Sequence, residues 1–548
     1  MRLPKGRRIF LVYLPADFHT LLIVILVVEE NMELIKKDIH MNRIGSKQEL
    51  QVTLDYDFNV PDIKPDVDKI VRQQGNVILL DTKLSQNKYI IEGNLCFSVL
   101  YVSYNDGRMV HGITGKLPFS ESLVWENDFN GEINVKPVLE DLSIVLVNSR
   151  KLSIRCVVTF VCEGQESSVL GVGVDIEEKS EDNPVEKRQQ LINISKLIVS
   201  TKDIFRVREE LHIAALSQNI DEIMYSDVVM ENYDVRLMSG QIHLEGNLSM
   251  LALYACENGE IEYMDKEMPF SGNIEVPGID DNMIEDVEIQ IQSFEIGVKP
   301  DADRENRIVE VDVVLALNIK AYEDEQLSIM TDCYCTKARM EIDRENVVFE
   351  NIAMKNTNKF RIGEKMEIAG SEPPVLLICK SMGEVKIDGM EIISNGVRVW
   401  GALEITVLYV SGEDKAPVNS VKEVFPYNQV IEMNQVAGDS RIRLKSSVDS
   451  TSVNVLDARH LEMKAQISLC AIAFNKVPAS VIVRCEIAET SDKVALVLPG
   501  IVGYFPREGE HMWDIAKQYN TTIDNLKKIN GLDREVLKEG DRLIIVTE

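Results

Sequence analysis

A chain of 548 residues predicts roughly three to four domains, and its 45% apolar content is that of a globular protein. With 89 acidic against 59 basic residues it carries a formal charge of −30. Such a surface repels phosphate backbones and anionic lipid; with no local basic patch, this argues against nucleic acid as a partner and leaves membrane association at most indirect.

Residues 9–28 are apolar and follow Lys5, Arg7 and Arg8, in imitation of a signal peptide or membrane anchor. Pro15, Asp17 and His19 interrupt the run, leaving only 21–28 unbroken, far short of the ~20 residues a spanning helix needs. No small-residue cleavage site follows. Met32 opens an ordinary start, so residues 1–31 are expected to be a non-native or disordered hydrophobic extension, with an anchor as the alternative.

From residue 33 the chain repeats itself. YIIEGNLCFSVLY (89–101), IHLEGNLSMLALY (242–254) and VRVWGALEITVLY (397–409) each place a glycine eight residues before a tyrosine: Gly93 and Tyr101, Gly246 and Tyr254, Gly401 and Tyr409. A Pro-aromatic pair begins 15 to 17 residues after each tyrosine, as Pro118-Phe119, Pro269-Phe270 and Pro426-Tyr427. An arginine then opens a second run, at Arg150, Arg307 and Arg459.

Both runs alternate with period two, as half-buried strands do. Ile91, Leu95, Phe97, Val99 and Tyr101 share one face, with Glu92, Asn94, Cys96 and Ser98 on the other. The second runs read likewise, with Leu152 to Phe160, Val309 to Leu317 and Leu461 to Leu469 supplying the apolar faces. The expected fold is mainly β: three tandem β-sandwich-like repeats at 33–174, 200–340 and 350–495. The strand glycine predicts a bulge or a close backbone approach. Residues 175–199 are charged and turn-rich, and predict a linker leading into a helix.

Residues 502–548 close the chain with a small βααβ unit. Met512, Ile515, Ala516 and Tyr519 share one helical face, and Ile523, Leu526 and Ile529 another. Thr521 or Thr522 caps the second helix, and Gly531 sits just past its end.

No Walker A, GxSxG or HExxH motif occurs, and no catalytic site is expected. Asp301, Asp303 and Glu305 imitate a calcium loop, but Asn306 replaces its central glycine, so a solvated turn is expected. Asp62, Asp66 and Asp68 stand beside Pro61 and Pro65 in a rigid extended segment. Nine cysteines without a CxxC pair, mostly inside apolar runs, predict reduced, buried thiols in a reducing compartment. No metal or cofactor is expected.

The C-terminal unit resembles a LysM module, and the repeats resemble the SPOCS domain of spore-coat-associated proteins. Repeat 1 matches well in VPDIKPDVDKIV (60–71) and in EGNL; repeat 3 departs with Trp400 and Ala402 in place of Glu and Asn. The order of domains resembles SipL-like spore coat morphogenetic proteins. The resemblance implies a non-enzymatic scaffold in the mother-cell cytoplasm, at the forespore and spore coat surface. Its implied partners are the morphogenetic ATPase of the coat's basement layer and other coat proteins.

The alternative is a peptidoglycan binder of the cell wall or spore cortex. Sugar-binding LysM modules present a small hydroxyl residue where His511 stands and a proline where Glu539 stands, which weakens the glycan reading. The candidate binding residues, for partner or glycan, are Gly509, Glu510, His511, Met512, Trp513, Asn530, Leu532, Glu539 and Gly540.

Overall fold

The computed structural model describes residues 7–13, 23–29, 32–85, 88–104, 109–125, 132–178, 184–214, 217–413, 415–487, 500–538 and 540–546. Near the N-terminus β1 (Arg7–Tyr13) pairs antiparallel with β2 (Ile23–Glu29). The rest of the expected extension, 1–6, 14–22 and 30–31, lies outside the described residues.

Each repeat has six strands in one order. Repeat 1 contains β3 (Met32–Asn59), β4 (Lys69–Ser85), β5 (Lys88–Val102), β6 (Val110–Val124), β7 (Glu132–Asn148) and β8 (Lys151–Glu178). Repeat 2 contains β9 (Val185–His212), β10 (Ile220–Met238), β11 (Gln241–Cys256), β12 (Ile261–Glu275), β13 (Ile284–Pro300) and β14 (Asn306–Cys335). Repeat 3 contains β15 (Met340–Glu367), β16 (Val375–Ile393), β17 (Gly396–Ser411), β18 (Val418–Glu432), β19 (Arg441–Val455) and β20 (His460–Ile487). The second to fourth strands form one antiparallel sheet, β4-β5-β6 and its equivalents. The first, sixth and fifth form another, β3-β8-β7 and its equivalents. The two sheets close over one core per repeat, built in repeat 1 from Leu95, Phe97, Ile154 and Phe160 among others.

The repeated landmarks meet in space. Gly93, Gly246 and Gly401 lie opposite Phe119, Phe270 and Tyr427 on the neighbouring strand. A Cβ at these glycines would stand 2.5, 2.8 and 2.0 Å from the carbonyl oxygens of Ile78, Asn232 and Lys386. The first strand of each sheet is bulged nearby, between Leu79 and Asp81, Met230 and Tyr233, and Ile387 and Gly389. The expected bulge and close approach are therefore both present. The arginines clamp the loop after the first strand: Arg150 donates to the carbonyls of Val60, Pro61 and Lys64, Arg307 to those of Ala214 and Ser217, and Arg459 to those of Ala369 and Glu372. The proline-rich segment after β3 is thus pinned through its backbone, but its first part is not extended as expected: the Lys64 amide donates to the Pro61 carbonyl at 2.9 Å and closes a turn.

The repeats close into a ring. β6 lies against β10, β12 against β16, and β18 against β4, so each repeat's fourth strand meets the next repeat's second strand in a cycle. Leu100, Val102, Met224, Leu251, Leu253 and Leu408 fill the centre. This corrects the half-buried reading of the first runs. The face opposite Phe97 is covered by the neighbouring repeats in its second half, which is why Leu100 and Val102 are buried.

The long strands continue past the sandwiches. At about 3.3 Å per residue, a strand of 28 residues reaches about 90 Å. β7 pairs only with the first half of β8; the second half, with the start of β3, is a two-stranded ribbon. Repeats 2 and 3 have the same ribbons, and the three pack into a stalk around Ile39, Val172, Ile192, Ile329, Val347 and Val481. The strand ends that flank the passages between repeats, Glu178 and Val185, then Cys335 and Met340, lie at the foot of this stalk. Where 175–199 is described, to Glu178 and from Val185, it is strand and not the expected helix; 179–183 lie outside the described residues. Ile176, Ile192 and Ile194 are buried while Glu177 and Arg188 are exposed, so a ribbon accommodates both. For the same reason repeats 2 and 3 begin at Val185 and Met340, upstream of the expected 200 and 350.

Candidate functional site

The C-terminal unit consists of β21 (Ile501–Tyr504), α1 (Met512–Gln518), α2 (Ile523–Asn530) and β22 (Leu543–Val546). Its core gathers Met512, Ile515, Ala516, Leu526, Leu537, Leu543 and Ile545. Thr522 caps α2, its side chain accepting from the Asn525 amide at 3.1 Å. Gly531 ends α2 in the left-handed region at φ 60, where glycine is favoured.

Among the candidate residues, the structure separates framework from surface. Met512 is fully buried in the core, which removes it from the candidate contacts. Asn530 ties α2 to β22, donating to the Ile544 carbonyl at 2.9 Å and accepting from the Ile544 amide at 2.6 Å. Leu532 packs against the core. The Gly509–His511 loop lies against 535–537, with Gly509 donating to the Leu537 carbonyl, Leu537 to that of Glu510, and Met512 to that of Glu535. Gly509 and Gly540 are exposed and have φ of 86 and 93. Glu510 accepts from the Arg507 amide, and His511 is half-buried. Glu539 lies outside the described residues.

Trp513 turns inward as well, against another domain. Its Nε1 donates to Asp332 of β14 at 2.8 Å, and its ring stands edge-on to Tyr334 at 5.0 Å. Lys517 donates to both Asp332 oxygens at 2.7 and 2.8 Å, and the Tyr334 hydroxyl donates to the Thr521 carbonyl at 2.7 Å. Arg344 of repeat 3 also pairs with Asp332. Burial alone would raise the Asp332 carboxyl, but the hydrogen bonds from Lys517 and Trp513 hold it below its ordinary value. The module is therefore seated on the foot of the stalk, and Trp513 is part of that seat. Nothing in the local sequence marks this contact, because Asp332 lies 181 residues from Trp513.

The opposite face of the module is open. Val502, Tyr504, Leu543 and Ile545 point into the core, so Ile501, Phe505, Ile544 and Val546 point out. They are 71%, 74%, 52% and 37% exposed. Arg542 continues this face along β22, and Arg507 follows Phe505; both are exposed. The composition carried a signal for this face that went unused: 501–505 and 543–546 are apolar on both parities, more than a one-sided sheet requires.

A second polar cluster sits where the three repeats meet. Asp286 is 1% exposed and pairs with Arg443 at 2.9 Å and with Lys445. Burial raises its carboxyl, but the two cations outweigh this and lower it. Lys320 beside it is 3% exposed, and burial, reinforced by Arg443, pushes its ammonium down to about 8. This is an interior network between repeats. Among the described residues no group of acidic, histidine or cysteine side chains is arranged to hold a metal ion. Asp301 caps its own turn, accepting from the Asp303 and Glu305 amides. No helix of the described residues is long and apolar enough to cross a membrane.

The SipL, SPOCS domain model matches the chain three times, at residues 66–147, 219–299 and 374–456, and the LysM domain model matches residues 507–546. No curated protein and no solved structure matches it. These are non-catalytic, binding-type domains, and no enzyme family is indicated. They mark a sporulation-associated protein with a peptidoglycan-binding-type module. Three SPOCS domains in tandem, followed by one LysM domain, give this chain the SipL-like architecture.

Proposed function

We propose that the protein is a scaffold of spore formation in which the ring of repeats holds the LysM module at the stalk foot and the module's outer face docks the basement-layer ATPase of the spore coat. In this reading it works in the mother cell and attaches the coat to the forespore surface, with the repeats available to other coat proteins. The observation that supports it is the outer sheet face: four exposed apolar side chains, with Arg507 and Arg542 beside them. Protein-docking hot spots have this composition, apolar anchors with arginine.

The competing reading, peptidoglycan binding, rests on the open loops at Gly509 and Gly540. The two readings use different residues of one module. Full-length protein is presented to the purified ATPase and, separately, to purified peptidoglycan, alongside a Phe505→Asp/Ile544→Asp variant. Docking predicts saturable ATPase binding that this variant loses with its thermal transition unchanged. Saturable peptidoglycan binding with no ATPase captured would reverse the order.

A further inference from the structure

Counted 24 residues from Leu152, Val309 and Leu461, the three long strands bring Ile176, Cys333 and Cys485 to equivalent positions near the stalk foot. These three share one buried cluster with Met330 and Ile482. The sulfurs of Cys333 and Cys485 lie 3.3 Å apart, although the residues are 152 positions apart in the chain and belong to different repeats. Cys333 is fully buried and Cys485 is 6% exposed.

We propose that Cys333 and Cys485 are a modification site, a thiol pair that hydrogen peroxide or a related hydroperoxide closes into a disulfide joining repeat 2 to repeat 3. Cys485, the less buried residue of the two, attacks one peroxide oxygen as the thiolate. The O–O bond breaks, the leaving hydroxide takes a proton to become water, and Cys485 is left as the sulfenic acid. The Cys333 sulfur then attacks the Cys485 sulfur, the S–O bond breaks, and the departing hydroxide leaves as water with the Cys333 proton. Two thiols and one peroxide thus become one disulfide and two waters. The hydrogen bond between the sulfurs supports this order, since it lowers the Cys485 thiol and raises that of Cys333.

The position gives the bond a consequence. Cys333 stands between Asp332 and Tyr334, the two residues that seat the LysM module. Closing the pair fixes the strand that carries the seat to the neighbouring repeat, and a reducing environment leaves it open.

The test uses the full-length, reduced protein treated with hydrogen peroxide, alkylated, digested and read by mass spectrometry. A cross-linked peptide joining Cys333 to Cys485, lighter by two hydrogens than its reduced halves, is expected, with a rise of several degrees in the thermal transition that dithiothreitol reverses. Because Cys335 shares a tryptic peptide with Cys333, Cys335→Ser is run in parallel and should retain the link. Cys333→Ser, shown to be folded by circular dichroism, should lose it. Oxidation confined to the half-buried Cys96 and Cys470, or a link that survives Cys333→Ser, would overturn the proposal.

Discussion

Repeat 2 meets its neighbours through fully buried side chains such as Leu251 and Leu253, whereas the LysM module meets repeat 2 through Trp513, Lys517 and Thr521 on Asp332 and Tyr334. The first contact resembles the interior of one domain, in which separating the parts exposes core to water. The second resembles a small polar interface with one aromatic anchor. Units as small as the module are only marginally stable alone. The seat at the stalk foot therefore orients the module and supports it, while the ring at the other end of the long strands is held by its own buried contacts.

Introducing a charge into the ring centre is the most severe way to break this comparison. Leu251→Asp buries an unpaired carboxylate where Leu251 is 1% exposed, at a cost of about 4–5 kcal/mol or more. Scanning calorimetry should show the three repeats losing stability together. A variant in which one transition moves and two stay would show three independent domains instead.

At the seat, Asp332→Ala removes the acceptor of Trp513 and Lys517 and should cost roughly 2–3 kcal/mol of docking. Hydrogen exchange should rise in α1 and α2 while the ring's thermal transition stays in place. The same contact should respond to pH. The Asp332 carboxyl is held below its ordinary value, so its contribution is complete above about pH 4 and is lost as pH falls through the lower, folded-state value. Release of the module on acidification, followed by exchange or proteolysis, should occur below about pH 4.

Lys320→Met should act in the opposite direction. Glu163, Lys320 and Ile472 occupy equivalent positions in the three long strands, so an apolar residue already fits one of them. The buried ammonium titrates at about 8 instead of 10.5. Folding therefore bears its full cost below about 8, and the cost fades as pH rises toward 10.5. The variant should be more stable by roughly 1–3 kcal/mol at neutral pH, with the gain disappearing in melts above about pH 10.5. The smallest effect is expected from Trp513→Phe, which keeps the edge-on ring contact and loses one hydrogen bond, worth about 1 kcal/mol.

Local periodicity carried much of this structure. The alternation of Leu152 to Phe160 set that strand and its face, and the glycine and Pro-aromatic landmarks proved to be one contact, a ring lying over a strand glycine. The capping of α2 by Thr522 and Gly531 was also local, and hence readable. What escaped the reading depends on contacts between distant parts. Leu100 and Val102 look like one face of an ordinary strand until repeats 2 and 3 cover them. The charged stretch from Asp175 reads as a linker, because its described parts, to Glu178 and from Val185, belong to ribbons whose inner face is covered by other ribbons while Glu177 and Arg188 stay exposed outside. Trp513 reads as a candidate contact for the same reason: an indole that packs on another domain has the sequence of one that waits for a ligand. Met512 instead sits in the module's own core, as the apolar helical face it shares with Ile515 and Ala516 implies.

The division of the LysM module into an inward face and an outward face is tested most directly by hydrogen exchange of the full-length protein with and without the purified basement-layer ATPase. Protection added by the ATPase at 501–505 and 543–546, with α1 unchanged on its seat, is the predicted result. Protection at 509–513 and 530–532 on adding peptidoglycan fragments, with none at the outer strands on adding the ATPase, would contradict the account.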